Sequence, residues 1–240
     1  MFHPKAQLQS QKLSKNTLVK IMNAEMKSLK GVTSLGGSIF RTICEDCNSK
    51  RIGANDNEVS RIYLELTQRI KNEFKKYDGT PNTLFIKADV LKYCRAMIGH
   101  ILAATSVKEC QREPVRTPYF SPLQDFVLGD DTALSNSHDI YYWFYPHKRH
   151  LSAKMVLFHN KGNNCCLSLL SFFPLAFLVT EKGKGIYPAH ATKLNLNDSK
   201  LTINLSQHNS KYIDFPFCKL TEQSMYMLVN SQCIVSYPIN

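Results

Sequence analysis

Hydrophobic and polar positions divide the chain into three stretches of different rhythm. Val59, Ile62, Tyr63, Leu66 and Ile70 recur at helical spacing, which predicts a helix over residues 58–76 with Asn55 or Asp56 as its cap. Residues 77–82, rich in Gly, Pro, Asn and Asp, read as a loop. A second helix is expected over 87–106. There Val90, Leu91, Cys94, Met97, Ile98, Ile101 and Leu102 form a broad apolar face, so the two helices should pack together. Beyond them Pro114, Pro118 and Pro122 argue against further helix. Strand-like runs follow over 140–145, 154–159 and 165–173, with Lys161-Gly162-Asn163-Asn164 as a hairpin between the last two. Runs over 192–196 and 200–205 flank Asn197-Asp198-Ser199, read as another hairpin. Short strands at regular spacing predict an antiparallel sheet. Ahead of all this, residues 1–43 show only weak helical character over 16–29. Gly31 would stop that helix, Gly36-Gly37 forms a turn, and a short strand is expected over 38–43.

Charge changes this picture in one place. The 240-residue chain carries a formal net charge of +11, a field that attracts polyanions, nucleic acid above all. Residues 1–43 hold Lys5, Lys12, Lys15, Lys20, Lys27, Lys30 and Arg41 against the single acid Glu25. The basic excess therefore lies beside the chemistry described next. No apolar leader segment is visible in the first 30 residues. The longest apolar run, residues 165–179, is interrupted by Ser168, Ser171 and Pro174 and is too short to span a bilayer. No membrane partner and a cytoplasmic location are expected. There, paired cysteines among the eight in the chain point to metal before disulfide.

The stretch richest in chemistry runs Gly36-Gly37-Ser38-Ile39-Phe40-Arg41-Thr42-Ile43-Cys44-Glu45-Asp46-Cys47-Asn48-Ser49-Lys50-Arg51-Ile52-Gly53. A C-x-x-C such as Cys44/Cys47 lets two thiolates reach one tetrahedral Zn²⁺ from a tight turn, although two ordinary thiols fit the same spacing. A Gly-Gly turn, a short strand, a C-x-x-C, an immediate Asn, then Gly and a helix together resemble the zinc-knuckle HNH endonucleases over about residues 34–60. The helices that follow, through Lys92 to His100, resemble the extensions of phage and prophage members. The resemblance implies a structural Zn²⁺ held by Cys44 and Cys47 with an upstream cysteine pair. It implies Asn48 as the residue that constrains the catalytic loop, and a Mg²⁺ or other divalent ion at the active site. Asn57 and Glu58 fall near a further metal or phosphate contact of the family. In that chemistry a His deprotonates water and the cation stabilises the phosphodiester transition state. Lys30, Arg41, Lys50 and Arg51 would hold the nucleic acid, DNA in the family.

The sequence departs from the family upstream. No cysteine precedes Cys44, and no Asp/Glu-His pair precedes Gly36; the only earlier histidine is His3. Met1 is thus expected to fall inside a motif whose start is missing. Cys94, Cys110 or a histidine would have to complete a zinc site, and spacing singles out none of them.

Elsewhere, Tyr141-Tyr142-Trp143-Phe144-Tyr145 followed by His147-Lys148-Arg149-His150 mixes aromatics with basic residues, as base-stacking surfaces do. The simpler reading is a strand with Tyr141, Trp143 and Tyr145 on one face and a basic turn after it. His147 and His150 lack a nearby carboxylate for metal binding. Adjacent Cys165 and Cys166 would face opposite sides of a strand, and Asp130-Asp131 after Gly129 reads as a loop cap. Walker A, Rossmann and G-x-S-x-G patterns are missing.

The expected fold is α+β: a partial HNH ββα-metal motif, a helical pair, then an antiparallel β-sheet. The segments are 1–60 (basic N-terminus and zinc-knuckle half), 61–112 (helical) and 113–240 (β-rich). The expected function is nucleic-acid binding of HNH-endonuclease type, with metal-dependent phosphodiester cleavage if the site is complete. The alternative is a catalytically inactive HNH-derived binding or regulatory protein of a phage or mobile element.

Overall fold

A computed structural model describes residues 8–12, 32–34, 45–76, 83–104, 116–147, 150–160, 163–184, 187–207, 224–228 and 232–236. It is an α+β fold in which helices cover one face of a large antiparallel sheet. A π-helical turn, Cys47–Ile52, runs directly into α1, Gly53–Glu73. Strand β3, Thr83–Lys87, leads to α2, Val90–Ala103, and a shorter α3 spans Phe120–Leu128. The strands of the chain's second half are β4, His138–Phe144; β5, His150–Asn160; β6, Asn163–Phe172; β7, Leu175–Glu181; β8, Thr192–Leu194; and β9, Lys200–Asn204. Two more, β10 (Ser224–Leu228) and β11 (Gln232–Ser236), close the described chain. Near the N-terminus lie β1, Leu8–Lys12, and β2, Val32–Ser34.

The main sheet has the order β2-β1-β11-β5-β6-β7-β4-β8, with β10 also on β5. The pairing of β5 with β6 slips between Ala153 and Val156, and β11 and β10 take successive stretches of the opposite edge of β5. Strands β5 and β6 pair antiparallel up to Asn160 opposite Asn163, while residues 161 and 162 of the expected hairpin lie outside the described residues. A separate two-stranded ribbon, β3–β9, stands beside the sheet. It is pinned there by Tyr142, whose hydroxyl oxygen accepts the Thr202 N–H at 2.8 Å.

Alternation along β4 shows how the core is divided. Ile140, Tyr142 and Phe144 face the helices, in one cluster with Ile62, Leu66, Tyr93, Met97, Leu123, Phe126 and Phe177. Tyr141, Trp143 and Tyr145 face the other side, with Phe158, Leu167, Leu169 and Leu178. The period-two pattern therefore buries both faces, and all seven residues of β4 are buried. Residues of α1, α2 and α3 share a core with β4, β6 and β7, so the helical and β-rich segments pack as layers of one body.

Three expectations are corrected. Pro122 does not exclude a helix: it sits in the first turn of α3, where a missing N–H leaves no intrahelical bond unmade. Leu84 and Ile86 belong to β3, in a stretch that carries no helical rhythm because its alternation is that of a strand, buried on every second residue. The runs flanking Asn197-Asp198-Ser199 do not pair as a hairpin. The turn forms, with Asp198 N–H donating to Asn195 O at 3.0 Å, but β8 joins β4 while β9 joins β3. Strands β1 and β2, for which the sequence offered no expectation, extend the same sheet as the C-terminal strands. The expected helix over 16–29 and strand over 38–43 lie outside the described residues.

Candidate functional site at the helix junction

The described part of the cysteine motif begins at Glu45. Cys47 opens the π-helical turn, and Gly53 closes it by donating its N–H to the carbonyl of Asn48. That contact decides the residue at 53. A Cβ there would lie 2.4 Å from the Asn48 oxygen, so only glycine lets this turn flow into α1 without displacement. π-Turns within helices are uncommon and concentrate at functional positions. The glycine singled out by the motif thus has a defined physical job.

The junction is fixed to α2 on three points. Ile52 packs its side chain against the backbone of Gly99, where an added Cβ would meet it at 3.0 Å. Asp56 Oδ1 and His100 Nε2 lie 3.0 Å apart in a half-buried hydrogen bond. Burial works against ionising Asp56, but the hydrogen bond and charge of His100 outweigh it and hold the carboxyl below its ordinary value. On the opposite side of α1, Glu58 Oε1 accepts the Asp89 N–H at 2.7 Å, and Asp89 in turn caps α2 by accepting from Lys92 N–H. The first turns of α1 are therefore tied near both ends of α2. Within the turn itself, Asn55 Nδ2 donates to Arg51 O at 2.6 Å and Ser49 Oγ to Glu45 O at 2.6 Å.

What this rigid base presents outward is polar. Asn48, Lys50 and Arg51 are all exposed. Lys50 pairs with Asp46 at 2.9 Å, both side chains about three-quarters in solvent, a contact that hardly restrains either. Asn48 contributes its backbone carbonyl to the turn. Glu58, by contrast, is committed to the helix pair and to Arg61, whose guanidinium holds its carboxyl below the usual range.

Cys44, Lys30 and Arg41 lie outside the described residues, as does the side chain of Cys47. Among the described residues no three His, Cys, Asp or Glu side chains are grouped to hold a metal ion. Cys94 is no candidate for the missing zinc ligand. It packs in the helix-side core, where burial pushes its thiol far up and removes the thiolate that a metal needs. Cys165 and Cys166 face opposite sides of β6. Cys165 Sγ is 3.0 Å from Thr180 Oγ1, and burial raises the thiol pKa of both. The aromatic run at 141–145 forms the strand of the simpler reading, stacked with Tyr187 (on Tyr141) and edged by His190 (on Trp143) and His147 (on Tyr145). Asp130 caps the loop after Gly129 as expected, accepting from Thr132 N–H and hydroxyl, while Asp131 pairs with Arg95.

The contacts of Gly99, His100 and Asp56 with the junction were not foreseen. Their only trace in the sequence is a Gly-His pair late in an apolar helix. Among the described residues no helix is long and apolar enough to cross a membrane. No family model, curated protein or solved structure matches this chain.

Proposed function

We propose that the chain is an HNH-derived nucleic-acid-binding protein that meets the phosphodiester backbone with the exposed face of its helix junction. The observation that carries this reading is the junction itself. Asn48, Lys50 and Arg51 stand in solvent on a turn locked by Gly53 and bolted to α2, in a chain of net charge +11. Fixed donors and cations on a rigid base lose little entropy on meeting an anion. Each phosphate they neutralise releases condensed counterions. Cleavage by a divalent ion is the stricter form of the same reading. In the family such an ion stabilises the leaving oxygen; the described residues of this chain group no ligands for it, and no step is assigned to them.

The test is binding of a DNA duplex across a salt series, for the wild type and a Lys50→Gln/Arg51→Gln variant. The expected result is a steep loss of affinity with salt, shallower by about 1.8 in log–log slope when two phosphate contacts are removed. Retention that ignores salt would overturn the reading. Plasmid incubated with Mg²⁺ or Mn²⁺ tests cleavage: nicking that Asn48→Ala abolishes supports the enzymatic form, and intact plasmid with salt-sensitive binding supports the binding form alone.

A further inference from the structure

The β3–β9 ribbon carries a second surface whose chemistry matches none of the core. Leu84 and Ile86 on β3, with Leu201 and Ile203 on β9, point into the helix-side core. The other face is left to three cross-strand pairs: Thr83 with Asn204, Phe85 with Thr202, and Lys87 with Lys200. Phe85 is 54% exposed, a large aromatic kept in solvent in the middle of a polar ladder. Lys200 Nζ hangs over its ring, 5.4 Å from the centroid.

Two features of this face cost stability and stay unexplained by packing. Like charges directly opposite each other on neighbouring strands repel, and Lys87 and Lys200 have no ion-pair partner among the described residues. Nearby cations are handled differently. Arg61 pairs with Glu58 and Glu65, Arg69 with Glu65, and Lys92 with Asp89. The same arginines also occupy the outer edge of the ribbon: Arg61 donates to the Lys87 carbonyl at 2.5 Å and Arg69 to the Phe85 carbonyl at 2.9 Å. The β3 edge is therefore closed to a pairing strand, and the three polar pairs stand on the ribbon's exposed face.

We propose that the exposed face of the β3–β9 ribbon binds single-stranded nucleic acid, with a base stacked on Phe85 and a phosphate between Lys87 and Lys200. A stacked base needs an exposed aromatic ring, which Phe85 supplies, and a phosphate relieves the lysine–lysine repulsion, which no carboxylate among the described residues offsets by an ion pair. Thr83, Thr202 and Asn204 supply neutral donors and acceptors around the ring. The site is separate from the helix junction and shares with that reading only the partner class.

The experiment is fluorescence anisotropy of a labelled oligo(dT) over a salt series, with Phe85→Ala, Phe85→Tyr, Lys87→Gln/Lys200→Gln and Lys50→Gln/Arg51→Gln variants. Phe85→Ala should weaken binding by about 5- to 150-fold, the range of one lost base–aromatic stack, and Phe85→Tyr should restore it. The ribbon lysine variant should flatten the log–log salt slope by about 0.7 if one phosphate lies between the lysines. Because these side chains are exposed, matching thermal melts for every variant will separate binding from folding. Ribbon variants that bind oligo(dT) like the wild type overturn the proposal, whatever the junction variant does. So does a wild type that binds duplex but not single strands, a result that leaves the junction reading standing. Dimerisation lost in Phe85→Ala without oligonucleotide binding would give the face to a second copy of the chain and overturn it too.

Discussion

The helix junction and the β4–β7–β6 centre of the sheet use polar and aromatic residues in opposite ways. At the junction, Asn48, Lys50 and Arg51 remain in solvent, and the residues that hold the structure are two glycines, an isoleucine and the Asp56–His100 hydrogen bond. In the sheet, the residues that look most suited to recognition, Tyr141, Trp143 and Tyr145, are consumed by packing. Several polar groups there are bonded inward: the Tyr119 hydroxyl meets Ser168 Oγ at 2.7 Å, and Ser168 donates to the Lys154 carbonyl. Burial favours pairing a polar group, so these side chains serve the stability of the sheet. The junction has left its chemistry available.

The largest expected contrast follows from burial. Phe177 has no solvent exposure and meets Tyr93 edge-on, with centroids 5.9 Å apart. Phe177→Ala should cost about 3–5 kcal/mol in urea unfolding. Lys50→Gln at the junction should change stability by less than about 0.5 kcal/mol, because its ion pair is exposed. Equal losses from the two substitutions would erase the distinction between a core that carries stability and a surface that carries function.

The same contrast explains what the sequence made legible. Long periodic segments were readable: α1 and α2 lie where Val59–Ile70 and Val90–Leu102 repeat at helical spacing, because each element's own apolar stripe faces the core. Strands β4, β5 and β6 announced themselves as strand-like runs over 140–145, 154–159 and 165–173. Partnership was not readable. Nothing local in 200–204 tells β9 to leave β8 and join β3, since that choice is made by Tyr142 and the helix-side core. At the junction, the Gly53 requirement was visible as a motif glycine, whereas Gly99 and His100 gain their meaning only from contact with Ile52 and Asp56, more than forty residues away. The Lys87–Lys200 pairing was equally hidden, being a product of register.

A pH series probes the sheet side. His138 is buried against Tyr119, and burial pushes its pKa down to about 4 in spite of the opposing charge of Glu181. The unfolded chain takes up a proton at this ring near pH 6.5, and the folded chain refuses it until far lower. Stability is then complete above pH 6.5 and falls as pH drops through the window towards 4, by about 2 kcal/mol on reaching about pH 5. Urea midpoints measured across that window should show the decline, and His138→Gln should flatten it. A wild-type midpoint constant from pH 6.5 to about pH 5 would show that this histidine is not held neutral by the sheet.

The most discriminating effect belongs to the two junction glycines. Gly53 has ordinary right-handed helical dihedrals, φ −61° and ψ −29°, so replacing it by alanine in an unconstrained helix would stabilise by about 1 kcal/mol. Here the new methyl would strike the Asn48 carbonyl, a backbone atom that moves only if the π-turn moves. Gly53→Ala should therefore destabilise, by about 1–3 kcal/mol, reversing the sign that helix propensity predicts. Gly99→Ala meets instead the side chain of Ile52, which can shift by a few tenths of an ångström, and the helical gain should nearly offset the contact. Thermal melts of the two variants separate the cases. If Gly53→Ala proves as harmless as Gly99→Ala, the turn at Asn48 is soft rather than locked. Its exposed side chains would then no longer be held ready for a phosphate, and the junction reading would lose its physical basis while the ribbon's would not.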